Sequence, residues 1–358
     1  MKKGFKRALS VLICLVAILL IGVLAFVLIG MATDYKPDSE VVLEYEIGSS
    51  SEPISAGSEY TMVTYNIGYG ALGKNQDFFM DGGSGKGAES KEEVETNITA
   101  ITDYITELSP DFVFLQEVDI KAKRSFNMNQ LERFLDGEYS AVFAYNYKVK
   151  YVPVPVPVVN AMGGVESGIA TLAKSHPVSA VRYRFDGEEM YLQQIFDLDR
   201  CFTVTRFDME NDKQLVLINA HFSAFDKGGT IREQQLSQMQ KVLTDEKADG
   251  NYVILGGDFN HELPGTSSDN FDWEGEYPAW CMVLPDDFAP EGYNWAADPE
   301  NPTSRAVDHE YIPGDNFLSV LDGFLVSDNI EIISVKNRFD FAFENSDHNP
   351  VEFKFKLM

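Results

Sequence analysis

The stretch 253-VILGGDFNHE-262 decides how the rest of the chain is read. Val253, Ile254 and Leu255 form a short apolar run, closed by Gly256 and Gly257. Such a run bounded by glycines reads as a buried strand. Its mouth then carries Asp258, Phe259, Asn260, His261 and Glu262. Several polar and ionisable groups directly after a core strand mean either a solvated turn or part of a metal-assisted active site. The other apolar runs decide between the two.

The same arrangement recurs. Tyr60–Tyr65 ends at Asn66, Asp111–Leu115 at Gln116-Glu117, and Leu215–Asn219 leads to His221. Asp322 accompanies the run Leu321–Val326, and Asp347-His348 precedes Val351–Phe355. One such residue is a capped turn, whereas six beside apolar runs predict one polar rim at the ends of packed strands. Gly168–Leu172 and Cys201–Phe207 read as further strands. Apolar spacing predicts helices over Lys91–Leu108, stopped before Pro110, and over Ile231–Leu243, with a short one over Asn129–Leu135. His261 and Glu262 read as solvated loop residues.

The amino end lies outside that pattern. Residues 1–7 form a basic tail with Lys2, Lys3, Lys6 and Arg7, and residues 8–32 carry no charge. That span is long enough to cross a hydrocarbon core of about 30 Å as a helix. It reads as an uncleaved anchor, with a signal sequence cut near Gly30-Met31-Ala32 as the alternative. Basic flanks stay cytoplasmic, so the expected location is the cell membrane, single-pass, with the catalytic part extracytoplasmic. Residues 33–59 read mostly as a linker, with Val41–Tyr45 as a candidate early strand, and 60–358 as one compact domain. Beyond the tail, 25 Lys and Arg face 56 Asp and Glu, a balance of −31. Such a field repels polyanions and argues against a general DNA-binding surface. Cys201 and Cys281 carry no spacing signature for a disulfide. The alternating prolines from Tyr151 to Val158 predict a stiff loop or an apolar flap rather than a regular ladder. The run Gly82–Gly87 lacks the GK[ST] ending of a phosphate-binding P-loop and reads as a flexible loop.

Taken together, TYNIGYG (64–70), FLQEVD (114–119), SGIATLAKSHP (167–177), INAHFSAF (218–225), LGGDFNHE (255–262), LDGFLVS (321–327) and SDHNPV (346–351) resemble the endonuclease/exonuclease/phosphatase, or DNase I-like, superfamily. The resemblance implies a four-layer α/β sandwich, two packed β-sheets flanked by helices, and metal-assisted phosphoester hydrolysis. It implies Mg²⁺, with Mn²⁺ or Ca²⁺ as alternatives. Glu117 would be the principal metal ligand. Asn66 would orient Glu117 or contact the metal, and Asp347 would belong to the metal shell. Asp258 would align the attacking water, and Asn260 would donate to phosphate oxygens. His348 would be the general base, oriented by Asp322. His221 would stabilise phosphate charge or protonate the leaving oxygen; Glu166, just before the SGIATL run, is the candidate carboxylate partner for it. Arg124 and Arg232 are candidate substrate contacts.

The expected function is a membrane-anchored, Mg²⁺-dependent phosphoric ester hydrolase, acting on a phospholipid or small phosphoester. Nucleic acid enters only as an alternative substrate, for an extracellular endonuclease. An inactive binding module on the same scaffold is the rival of another class. Two features weaken the nuclease alternative: Asp322 is followed by Gly323, where many relatives carry a bulky side chain, and the acidic surface offers no basic groove. No protein partner is legible.

Overall fold

Side-chain alternation along two central strands sets the layers. The computed structural model describes residues 2–358 apart from 136, 157–159, 225 and 227. Successive side chains in a strand point to opposite faces. In Phe112–Ala122, Phe112 and Phe114 join one apolar cluster, Val113 and Leu115 another. In Tyr252–Asp258, Tyr252 and Ile254 join that first cluster, Val253 and Leu255 a third. The shared cluster is the seam between two sheets. The other two lie under the helices Lys91–Leu108, through Ile98 and Ile101, and Thr230–Ala248, through Leu236, Met239 and Leu243. Helix, sheet, sheet, helix is the expected four-layer sandwich.

Each sheet has seven strands. One runs in the order Glu40–Val42, Ser179–Arg184, Cys201–Asp208, Gln214–His221, Tyr252–Asp258, Asp322–Ser327, Tyr293–Ala296. The other runs Ile330–Asn337, Val351–Leu357, Glu59–Asn66, Phe112–Ala122, Asn160–Ala173, Ser140–Val156, Tyr45–Glu46. Each holds one parallel pair, Gln214–His221 beside Tyr252–Asp258 and Glu59–Asn66 beside Phe112–Ala122. A parallel pair needs a long crossover, and the two long helices of the domain supply them. Ser90 caps the first helix by accepting from the Glu93 amide at 3.1 Å.

Several local readings change. The segment read as a linker contributes the edge strands Glu40–Val42 and Tyr45–Glu46, one to each sheet, and Ile54 to the seam. Residues 131–133 make only a 3₁₀ turn. Tyr151–Val156 does not leave the ladder; it continues the strand Ser140–Val156 through register shifts after Val149 and Val152. This part of the strand pairs on one side only, where proline is tolerated; Pro157 and Val158 lie outside the described residues. Cys201 and Cys281 are buried free thiols. The run 82–87 is tied down in part, since Asp77 accepts from the Ser84 and Gly85 amides. His261 and Glu262 are buried, not solvated. Glu262 accepts from the Ser268 amide at 2.7 Å, and His261 Nδ1 lies 2.6 Å from the Phe259 carbonyl. The apolar helix at the amino end, Lys2–Thr33, is long and apolar enough over Gly4–Thr33 to cross a membrane.

Two expectations follow for stability. Gly257 has φ +131°, and a Cβ there would lie 2.0 Å from the Ala220 carbonyl oxygen. Gly257→Ala is expected to cost on the order of 3 kcal/mol or more. Gly265→Ala, with φ +83° but open space around its Cβ position, is expected to cost about 1 kcal/mol; urea unfolding of both variants checks the contrast. Burial pulls the His261 pKa down to about 4 from 6.5, against the pull of the Phe259 carbonyl. The unfolded chain therefore binds the extra proton first, and the folded state loses stability as pH falls from about 6.5 to about 4. Thermal melts across that window should show a shallower acid loss for His261→Gln than for the parent.

Candidate active site

The seam period carries the chemistry to the rim. Tyr60, Met62 and Thr64 alternate toward the seam side, and Asn66 continues them. Leu215 and Leu217 lead in the same way to Asn219 and His221, and Ile254 leads through Gly256 to Asp258. Asp322 opens its strand with Phe324 and Val326 behind it on that face. Asp258 is in register with His221 on one side and Asp322 on the other, so the three side chains share a face. Where the apolar seam ends, polar side chains from both sheets therefore meet.

Glu117 arrives differently. By parity with Val113 and Leu115 it should point under the helix. A register shift between Leu115 and Val118, with Glu117 at φ +58°, re-aims it toward the rim. A bulge that redirects one side chain is a recurrent device beside functional sites. Asn260 is also left-handed, at φ +48°. Two non-glycine residues held in this sparsely populated region at one site mark stored strain.

Direct contacts tie the groups together. Asn66 Nδ2 donates to Asp258 Oδ2 at 2.9 Å and lies 3.5 Å from Glu117 Oε1. His348 Nδ1 bonds Asp322 Oδ2 at 2.7 Å. Its Nε2 stands 3.4 Å from Ser304 Oγ and 3.8 Å from Asp258 Oδ2. His221 Nε2 lies 3.4 Å from Asp258 Oδ2. The Asn260 amide donates to Asp258 Oδ1 at 2.8 Å, and its side chain donates to the Phe222 carbonyl. All these residues except Asp322 and Phe222 line one cavity of about 550 Å³, with Asp347.

Burial dominates the electrostatics. It pushes Glu117 up to about 7, helped by the charge of Asp347, and raises Asp347 as well. It also pushes Asp258 up to about 6. Burial disfavours a charged His348, but the carboxylates of Asp322 and Asp258 override it and raise that imidazole well above its ordinary value. Burial, then Arg200 and His348, holds His221 neutral. Among the described residues neither Glu117 nor Asp347 forms an ion pair. Two buried carboxylates facing each other without a paired cation suit a divalent ion with hard oxygen donors. Asp258, Asp322 and His348 also bring ligand atoms within 4.8 Å of one another. The bond between His348 and Asp322 and the one from Asn66 to Asp258 make that trio a positioning network, since Mg²⁺ prefers oxygen to imidazole.

Most of the expected residues meet here; three readings change. Asn66 turns its Oδ1 to the Gly68 amide at 3.1 Å and its Nδ2 to Asp258 and Glu117, so it is its N–H groups that face the carboxylates. Arg232 is buried, donating to the carbonyls of Trp280 and Asp226, and does not line the cavity; it braces a loop. Glu166 pairs at 3.9 Å with Lys148 on the outer strands, and the carboxylate beside His221 is Asp258. Arg124 does line the cavity. Its guanidinium is fixed by Asp119 at 2.9 Å and lies 3.6 Å from the centre of the Tyr69 ring. The residue that sequence reasoning missed is Arg200. Its Nη1 is buried with no hydrogen-bond partner among the described residues, and it lines the cavity. Arg200 precedes a strand antiparallel to Gln214–His221, so the beginning of that strand, not its end, reaches the rim.

Comparison with known proteins agrees with this geometry. None of the curated proteins matches the sequence. Among solved structures, an endonuclease/exonuclease/phosphatase from Beutenbergia cavernae DSM 12333 superposes with a TM-score of 0.57 at 15% identity, covering 84% of this chain and 72% of its own. ANGEL2, a 2′,3′-cyclic phosphatase, gives 0.54 at 14% identity, covering 88% and 98%. The human Nocturnin catalytic domain with bound sulfate anion gives 0.53 at 16%, covering 88% and 97%. At these identities the likeness is one of fold. The model of the Endonuclease/Exonuclease/phosphatase family matches residues 63–348. That stretch takes in every residue of the rim from Asn66 to His348, and the chain belongs to this family of phosphoester hydrolases, which generally depend on a divalent metal.

Proposed function

We propose that the chain is a membrane-anchored, extracytoplasmic, metal-dependent hydrolase of a phospholipid or small phosphoester. The observation that carries this reading is the meeting of Glu117, Asp258, His221 and the Asp322–His348 pair around one cavity. Glu117 and Asp347 would hold the cation, with Mg²⁺ favoured by their oxygen donors. When bound, it would supply Lewis-acid stabilisation of charge on the phosphoryl oxygens. Asp322 fixes the tautomer of His348, so that Nε2 faces the cavity and takes the proton of the attacking water. Asp258, itself held by Asn66 and the Asn260 amide, aligns that water. His221, neutral and beside Asp258, is placed to donate to a phosphoryl or leaving oxygen. Arg200 and Arg124 bring positive charge to the phosphate end of the cavity.

Turnover of bis(p-nitrophenyl) phosphate by the full chain in detergent with Mg²⁺ tests this. Glu117→Gln and His348→Gln are each expected to lower kcat by about 10²-fold or more. EDTA should abolish turnover and Mg²⁺ or Mn²⁺ restore it. Arg200→Ala is expected to raise KM by about tenfold, the scale of one lost charge-assisted contact, whereas Arg232→Ala should lower the melting temperature instead. Undiminished turnover in both E117Q and H348Q would defeat the enzymatic reading. Plasmid nicking faster than small-ester turnover would shift it to an endonuclease.

A further inference from the structure

The amino-terminal helix packs onto the wall of the cavity. Phe26 stacks on Phe196 with ring centres 5.2 Å apart and meets the edge of Tyr151 at 5.9 Å. One turn later Gly30 lies so close to the end of the short helix Tyr191–Gln194 that a Cβ would sit 3.0 Å from Ile195 Cγ2. Residues 8–25 of the helix are exposed on all sides, and Phe26 and Val27 are the first to be half-buried. At 1.5 Å per residue those eighteen positions cover about 27 Å, close to a hydrocarbon core of about 30 Å. With residues 8–25 in the hydrocarbon, Phe26, Phe196 and Tyr151 stand at its outer boundary.

That boundary is where the cavity changes character. The rim groups line one part of it; another part is lined by Val152, Pro153, Val154, Met162, Phe196 and Leu198, of which Val152, Met162, Phe196 and Leu198 form one apolar cluster, with Asp197 and Asp199 beside them. Around the same wall Val154, Val156, Met190 and Leu192 are exposed, by 41, 48, 79 and 59%. Exposed apolar side chains gathered beside an anchor mark a membrane-contacting surface. A cavity polar at one end and apolar at the other fits an amphipathic ligand.

Resting on the reading as an anchored hydrolase, we infer that the site takes phospholipids from the bilayer that holds its own anchor. The phosphate lies at the Asn66, His221 and Asp258 end, and the acyl-bearing part lies along Val152–Val154 and Phe196. Water adds to phosphorus and one P–O ester bond breaks. The departing oxygen takes a proton and leaves as an alcohol, and the phosphorus leaves as a phosphate monoester. Phe26 is a positioning residue: it fixes the apolar wall at the membrane surface and touches no reacting atom.

The test uses the full chain reconstituted into vesicles of phosphatidylcholine, phosphatidylethanolamine and phosphatidylglycerol with Mg²⁺. Deuterated phospholipid is placed either in the enzyme-bearing vesicles or in separate ones, and products are followed by mass spectrometry beside bis(p-nitrophenyl) phosphate turnover. Lipid in the same vesicle is expected to be cleaved about tenfold faster or more, as tethering raises effective concentration. Phe26→Ala should shrink that advantage at least about threefold and Phe26→Tyr should keep it, both with small-ester turnover unchanged. Small-ester turnover without lipid cleavage, or equal cleavage from both vesicle populations, overturns the inference and leaves the hydrolase reading standing. Loss of the advantage in Phe26→Ala together with small-ester turnover also overturns it. No turnover of either substrate removes the hydrolase reading and the inference with it.

Discussion

The structure depends on two sheets being locked in one relative position at the rim. Asn66 ends a strand of one sheet and Asp258 a strand of the other; their 2.9 Å hydrogen bond spans 192 residues of sequence. One layer deeper, Gln116 donates across the same seam to Asn219 at 2.9 Å, and Asn219 donates to the Ala170 carbonyl at 2.8 Å. These groups are fully buried, so losing one partner would strand the other in an apolar medium. Hydrophobic packing alone permits small sliding of one sheet over the other. The polar crosslinks allow only the registry in which both sheets end at the same point. The polar rim is thus a continuation of the core, with Phe112, Phe114, Ile254 and Phe324 below and carboxylates above.

The same locking makes the site costly. Glu117, Asp258 and Asp347 are buried together, and each is pushed toward its neutral form. Glu117 and Asn260 hold left-handed backbones as well. A fold tolerates such strain and desolvation only when the surrounding layers over-determine it. A divalent cation held between the carboxylates would relieve the repulsion, so binding the ion and stabilising the rim would be one thermodynamic event.

How much of this was legible depends on which physical rule governed each residue. The helix Lys91–Leu108 was readable to its last residue, because capping, apolar spacing and Pro110 agree. Asn66, His221 and Asp258 were readable because they follow apolar runs at the ends of parallel strands. Glu117 was found by motif, yet its strand runs on to Ala122 and it is a bulge, not a strand end, that presents it; no local pattern announces that. Asp322 and Arg200 lie where antiparallel strands begin, and strand polarity is a property of the sheet rather than of the segment. Arg232 misled because position after His221 says nothing about direction: its helix turns it inward to loop carbonyls. The strand Ser140–Val156 was missed where prolines masked an edge position, which tolerates such residues.

The cavity's two ends are built by different means, and this separates chemistry from selection. The phosphate end is made of central-strand termini crosslinked across the seam, where a shift of an ångström would disperse the set. The apolar end is made of an edge-strand extension, Tyr151–Val156, and the segment around Phe196, both held from outside by Phe26 of the amino-terminal helix. An acidic domain repels a long polyanion before any contact forms, but it exerts little force on a zwitterionic head group brought up by its own tail. Charge and architecture therefore act in the same direction. On the proposed reading, the field would thin out one class of phosphoester in solution and an anchored apolar wall would concentrate another at the surface, while the central strands would need no alteration to serve either.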